Sequence, residues 1–202
     1  MRVLPILALV LCYGAPLAAA DPAAGQVKAY TCTGCHGIRH YNNVYPVYKV
    51  PKIGGQNEAY ILAALEAYRD GSRRHPTMGV QAESFNQNDL ADIAAWLSDM
   101  GRAHDGEKTG AAGDPAAGQA LAATCQACHG PTGNESLDPS YPKLAGQYPD
   151  YLAKALGDYR SGARANPVMA GFAAALTDQQ IADLAAWFAS QPGDLSDLST
   201  AP

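Results

Sequence analysis

Two pentapeptides carry the residues most able to do chemistry. Cys32-Thr33-Gly34-Cys35-His36 and Cys125-Gln126-Ala127-Cys128-His129 repeat the pattern Cys-x-x-Cys-His, 93 residues apart. Two thiols separated by two residues at the end of a helix can both add to the vinyl groups of one porphyrin, and the adjacent imidazole then lies under the iron as an axial ligand. This pattern is the attachment signal for c-type haem. Other uses of paired cysteines fit less well. A zinc ribbon brings its two pairs together from about 15–20 residues apart into one site. A thioredoxin-like redox pair needs a βαβ context that is absent here. Two local disulfides are the remaining reading. The sequence therefore implies two covalently bound haem c groups, held through Cys32 and Cys35 and through Cys125 and Cys128, with His36 and His129 on the irons.

A six-coordinate iron needs a second ligand from the far side. Beyond Met1 the chain offers Met78, Met100 and Met169. Met78 in His75-Pro76-Thr77-Met78 and Met169 in Asn166-Pro167-Val168-Met169 coincide under an offset of 91, whereas Met100 falls opposite Gln191. A lone methionine is usually core packing, but the coincidence selects Met78 and Met169 as axial ligands. They follow the proximal histidines by 42 and 40 residues, enough for a helix to wrap the ring. His75 stands where the second copy has Asn166 and is a competing donor for the first iron.

The elements that must position these residues are also duplicated. Asp21-Pro22-Ala23-Ala24-Gly25-Gln26 recurs as Asp114-Pro115-Ala116-Ala117-Gly118-Gln119; Pro51 to Gln56 matches Pro142 to Gln147, and Ala94-Ala95-Trp96 matches Ala185-Ala186-Trp187. One unit has been copied. Each copy reads as three helices. Asp21 or Asp114 caps the first, with Pro22 or Pro115 in its first turn. A middle helix follows Gln56 or Gln147. A last helix opens at Asn86 or Thr177, where Thr177 and Gln180 form a capping box. Gly25 and Gly118 allow the first helix to approach the last, with Trp96 and Trp187 as packing partners. The expected organisation is a signal peptide over 1–20, a first domain over 21–103, a linker over 104–113, a second domain over 114–192 and a flexible tail over 193–202. Units this small have little core of their own, so something large and apolar should fill each centre.

Met1 and Arg2 precede an apolar run from Val3 to Leu17 and Ala18-Ala19-Ala20, the pattern of a secretory signal peptide cleaved after Ala20. Cys12 lies inside it and would be discarded. Localisation in the periplasm follows. Asp21 to Ala103 holds eight basic and eight acidic residues, and His104 to Pro202 holds five basic and eleven acidic. A nucleic-acid partner has no electrostatic footprint here. The asymmetry would orient the molecule before a charged partner, or serve only solubility.

In these motifs, and in Leu144 to Gln147, Tyr159 to Arg164 and Asn166 to Met169, the chain resembles the diheme cytochrome c4 family, over essentially all of Asp21 to Gln191. The resemblance implies an all-α fold of two tandem class I cytochrome c domains whose haem pockets face each other. It also implies an electron carrier rather than an enzyme, cycling Fe(III)/Fe(II) between a quinol-oxidising complex and a terminal oxidase or periplasmic reductase. Its partners would be redox proteins, and a soluble carrier can still ride on a membrane complex. The alternative is an electron-transfer subunit of a dehydrogenase, or a haem enzyme with one labile axial ligand. The first copy departs from the family at Gly37 to Val50, where Tyr41, Tyr45 and Tyr48 would hydrogen-bond haem propionates or cover the porphyrin. Arg69, Arg73, Arg74, Arg160 and Arg164 follow the middle helices; they would meet propionates, line the domain interface, or simply complement the helix ends.

Overall fold

A computed structural model describes residues 19–107 and 110–200, so the expected signal peptide lies almost wholly outside the described residues. Ten helices appear in it, five per copy. In the first copy these are α1 (Pro22–Lys28), α2 (Tyr30–His36), α3 (Glu58–Arg69), α4 (Pro76–Glu83) and α5 (Gln87–Asp99). In the second they are α6 (Pro115–Leu121), α7 (Ala123–His129), α8 (Pro149–Ser161), α9 (Pro167–Ala174) and α10 (Asp178–Ser190). The architecture is all-α, with one two-stranded hairpin of β1 (Asn42–Asn43) and β2 (Tyr48–Lys49) in the first copy.

The three-helix expectation undercounts for two reasons. The first helix breaks at Ala29 and Ala122, so that the cysteine motif occupies a short helix of its own. The methionine segment is also helical: Pro76 and Pro167 stand in the first turn, where a missing N–H costs nothing, and His75 and Asn166 cap it.

Helix starts follow local chemistry. Asp21 accepts from the backbone N–H groups of Ala23 and Ala24, and Asp114 from that of Ala116. Asn86 with Asp89 and Thr177 with Gln180 close capping boxes. The last helices then bury Leu90, Ile93, Ala94 and Leu97, and Ile181, Leu184, Ala185 and Phe188, each set on one face at helical spacing. Against that face runs the first helix. A Cβ on Gly25 would lie 2.0 Å from the Asp92 carbonyl oxygen, and one on Gly118 2.0 Å from that of Asp183, so only glycine permits the crossing. Trp96 and Trp187 are buried beside it.

The two copies meet in a pseudo-two-fold interface. Gln56 accepts from the Lys143 N–H (2.8 Å) and donates to the Lys143 carbonyl (3.0 Å), while Gln147 does the same with Lys52 at 3.0 and 2.8 Å. Arg73 donates to the Tyr151 hydroxyl and Arg164 to the Tyr60 hydroxyl, each at 2.6 Å. Each arginine also lies over a tyrosine of its own copy, Arg73 over Tyr68 and Arg164 over Tyr159. Both are buried. Of the alternatives for the arginines, these two line the interface, whereas Arg69 donates to Gln87, and Arg160 bonds the Leu176 carbonyl and Asp178 at exposed helix ends.

The expected flexible tail is packed as far as it is described. Leu195 is fully buried, and Leu198, in a short 3-10 helix (Leu198–Thr200), joins Ala29, Ile61, Trp96 and Met100 in the core of the first copy. Ser196 pairs with Gly54 through backbone bonds in both directions, and its hydroxyl donates to the Met100 carbonyl at 2.6 Å. The expected linker crosses the other way. His104 pairs with Gly193, the Glu107 N–H donates to the Ala189 carbonyl, and Lys52 donates to the Gly146 carbonyl (2.7 Å) and to Glu107 (3.5 Å) in a buried pair. Each copy thus receives the segment that leaves the last helix of the other. The tail is held because Leu198 fills apolar space in the small core of the first copy.

Candidate functional site

The sequence places the chemistry in two copies, and the structure builds both by the same local rules. In the first, α2 carries Cys32 and Cys35 one turn apart and ends on His36. In the second, α7 carries Cys125 and Cys128 and ends on His129. None of these four cysteines is joined in a disulfide. Burial raises the thiols of Cys32 and Cys125 above their usual range.

Both histidines are buried. The Nδ1 of His36 lies 2.8 Å from the Pro51 carbonyl oxygen and that of His129 2.9 Å from the Pro142 carbonyl oxygen. A carbonyl only accepts, so Nδ1 carries the proton and Nε2 keeps its lone pair. Burial lowers both histidines below the usual imidazole range, which favours the neutral ring a metal needs. A metal-binding histidine is normally oriented in this way, by a hydrogen bond from its other nitrogen.

The methionines occupy matching positions, third in α4 and third in α9. The Asn166 side chain accepts from the Met169 N–H at 3.0 Å, and the His75 Nδ1 accepts from the Met78 N–H at 3.3 Å. The capping residues have nearly the same backbone, φ −159° and ψ 114° at His75 against −158° and 109° at Asn166. His75 therefore does in the first copy what Asn166 does in the second, its ring standing edge-on to Tyr68. Met100, which the duplication left unmatched, is buried in the core and packs beside Trp96 and Leu97.

The donor set fits haem c in both copies. Each offers two thiols on one helical turn, an imidazole with Nε2 uncommitted, and a thioether on a capped helix. Half-buried apolar side chains line the surroundings: Ile53, Leu62, Leu65 and Phe85 in the first copy, and Leu144, Leu156 and Leu176 in the second. Thr31 donates to the Gln81 side chain at 3.1 Å and ties the cysteine helix to the methionine helix of the first copy.

The tyrosines of the first loop divide. Tyr48 is buried against Tyr151 of the second copy, with ring centres 6.4 Å apart. Tyr45 is 91% exposed at the tip of the β1–β2 hairpin. Sequence reasoning also missed Tyr148. It is fully buried, its hydroxyl accepts from the His40 N–H and donates to Asp197, and it so joins the first loop to the tail. Its counterpart under the repeat is Asn57, so the duplication gave no hint of it.

Known proteins resemble this arrangement. A family model described as cytochrome c matches residues 115–192. Cytochrome c4 of Pseudomonas aeruginosa is 34% identical over 183 residues, covering 84% of this chain and 88% of that protein. A thiosulfate dehydrogenase electron acceptor of Thiomonas intermedia is 28% identical over 207 residues, covering 95% of this chain and 91% of that protein. The crystal structure of reduced recombinant cytochrome c4 from Pseudomonas stutzeri superposes with a TM-score of 0.71 at 32% identity, over 86% of this chain and 100% of that one.

Proposed function

The chain belongs to the cytochrome c4 family of diheme electron carriers, and from that premise we propose that it shuttles electrons in the periplasm between a quinol-oxidising complex and a terminal oxidase or periplasmic reductase. Its cofactors are two covalently bound haem c groups. Haem, when bound, supplies a one-electron Fe(III)/Fe(II) couple. The chain does the rest. Cys32 and Cys35 tether the first group, and Cys125 and Cys128 the second. His36 and His129 present Nε2 because Pro51 and Pro142 hold Nδ1. Met78 and Met169 would hold the irons through soft thioethers, which would favour a higher potential than a second imidazole. An imidazole and a thioether from each copy would leave the iron no open position for substrate, which supports a carrier over an enzyme. Export by the N-terminal segment and cleavage after Ala20 complete the reading.

The observation that carries it is the matched second set of contacts: imidazole to proline carbonyl and capped methionine, repeated in both copies. Mass spectrometry of the exported protein should find two haems retained after denaturation. The reduced protein should fail to bind carbon monoxide at neutral pH. Carbon monoxide binding to one haem would instead favour the second reading, a dehydrogenase partner with one labile ligand, for which the similarity to a thiosulfate dehydrogenase electron acceptor speaks.

A further inference from the structure

The β1–β2 hairpin has no counterpart among the described residues of the second copy, and it gathers three of the most exposed large apolar side chains within four residues. At its tip Val44, Tyr45 and Val47 are 85%, 91% and 73% exposed. Water gains nothing from such a run, and contiguous exposed apolar groups mark contact surfaces. The hairpin is nonetheless firmly built. The Asn43 side chain donates to the Pro46 carbonyl at 2.9 Å, and the Val50 N–H to the Tyr41 carbonyl at 2.8 Å. Its base is tied to the second copy, through the His40 N–H to Tyr148 and the Lys49 N–H to Asp150. A rigid apolar tip loses little freedom when it is covered.

Its position links it to the first haem site. The hairpin leaves the chain directly after His36 and returns at Pro51, the two residues joined by the imidazole bond. Charge adds direction. From Pro22 through Asn57 there is no aspartate or glutamate, in a chain whose formal charge is −5. Lys28, Lys49 and Lys52 of that stretch are paired with carboxylates, and Arg39 is exposed at the hairpin base. The corresponding loop of the second copy, Gly130 to Tyr141, contains Glu135 and Asp138 and no lysine or arginine. The two sites therefore stand beside surfaces of opposite character.

We propose that the hairpin tip, with Arg39 at its base, is the docking surface of the first haem site for a redox protein whose contact face is an apolar patch rimmed by carboxylates. This rests on the electron-carrier reading above. A carboxylate rim is drawn to Arg39 and repelled by Glu135 and Asp138, so that such a partner meets the first site rather than the second. Tyrosine and arginine are also the side chains that most often dominate binding energy in interfaces. An anionic bilayer is the less suitable occupant, since surface binding of that kind draws on clusters of about 4–8 basic residues, and the hairpin exposes one arginine.

The test uses the full holoprotein on gold electrodes coated with a mixed monolayer of methyl- and carboxylate-terminated alkanethiols, which reproduces the chemistry of the partner face. Wild-type protein should adsorb and exchange electrons directly, less so as salt rises. The variant Val44→Ser/Tyr45→Ser/Val47→Ser should adsorb at least about tenfold more weakly, a loss of about 1.4 kcal/mol. Arg39→Gln should remove the salt dependence, and Leu137→Ser in the second loop should behave as wild type. Unchanged adsorption of the triple variant would overturn the proposal. So would cosedimentation of wild type, but not of the triple variant, with 3:1 phosphatidylcholine and phosphatidylglycerol vesicles, which would make the tip a lipid anchor. Solution haem spectra of each variant separate these outcomes from failure of the carrier reading, which would appear as missing haem in the wild type.

Discussion

At the residue scale, the site depends on a few atoms whose partners leave one role open. His36 and His129 each spend Nδ1 on a proline carbonyl, and what remains is a neutral Nε2. The methionines are fixed by the caps beneath them. Replacing Met169 by alanine should halve the far-red methionine-to-iron absorption, lower the potential of one haem and open it to carbon monoxide, with two haems still bound. Met78→Ala should do the same to the other haem. An unchanged far-red band in either variant would show that a different side chain ligates that iron. The matching places of the cysteine motifs, histidines and methionines in the two copies were legible in the sequence because the spacing recurs with the duplication. His75 was ambiguous because an imidazole can cap a helix as well as bind iron, and only the backbone geometry distinguishes the capping role.

At the element scale, helices with caps and a buried stripe could be read locally, while elements defined by distant partners could not. The Asp21, Asp114 and Thr177 caps and the crossing glycines are properties of short sequence stretches. The break at Ala29 has no side-chain signal, since neither alanine nor tyrosine stops a helix. Gly193 to Thr200 reads as polar and loose, and its two leucines show no periodicity, yet Leu198 packs against residues of the first copy that are distant in sequence, among them Ala29 and Trp96. Leu198→Ala should therefore destabilise the protein by about 2–5 kcal/mol, the usual range for deleting a buried leucine side chain. The loss should appear in guanidinium unfolding as the first copy melting ahead of the second. A change below about 0.5 kcal/mol, the scale of neutral surface substitutions, would mean that the strap does not carry the first core.

At the scale of the whole molecule, one copied unit has become a pseudo-symmetric pair with unequal ends. Duplication explains why the interface bonds come in reciprocal sets, and divergence of one loop explains the different surfaces. Arg73→Ala and Arg164→Ala each leave a half-buried tyrosine hydroxyl without its arginine donor, at a cost of about 1 kcal/mol. Burial opposes ionisation of Tyr60, but Arg164 and Arg73 bring its pKa down to about 8. Because that folded value lies below the unfolded value of about 10, its contribution is complete above pH 10 and is lost as pH falls through 8. Wild-type stability should carry this rise between pH 8 and 10, and Arg164→Ala should flatten it in denaturant titrations across that range.

The central claim is two haems, each held by histidine and methionine. It is tested most directly by one optical experiment on the purified protein: oxidised and reduced spectra, a pyridine haemochrome count, and the far-red methionine-to-iron band measured on the same sample. Two haems c per chain, with the band at the intensity of two methionine-ligated irons, is the predicted result. One haem, or a band at half that intensity, would contradict the claim that both copies are built and used alike.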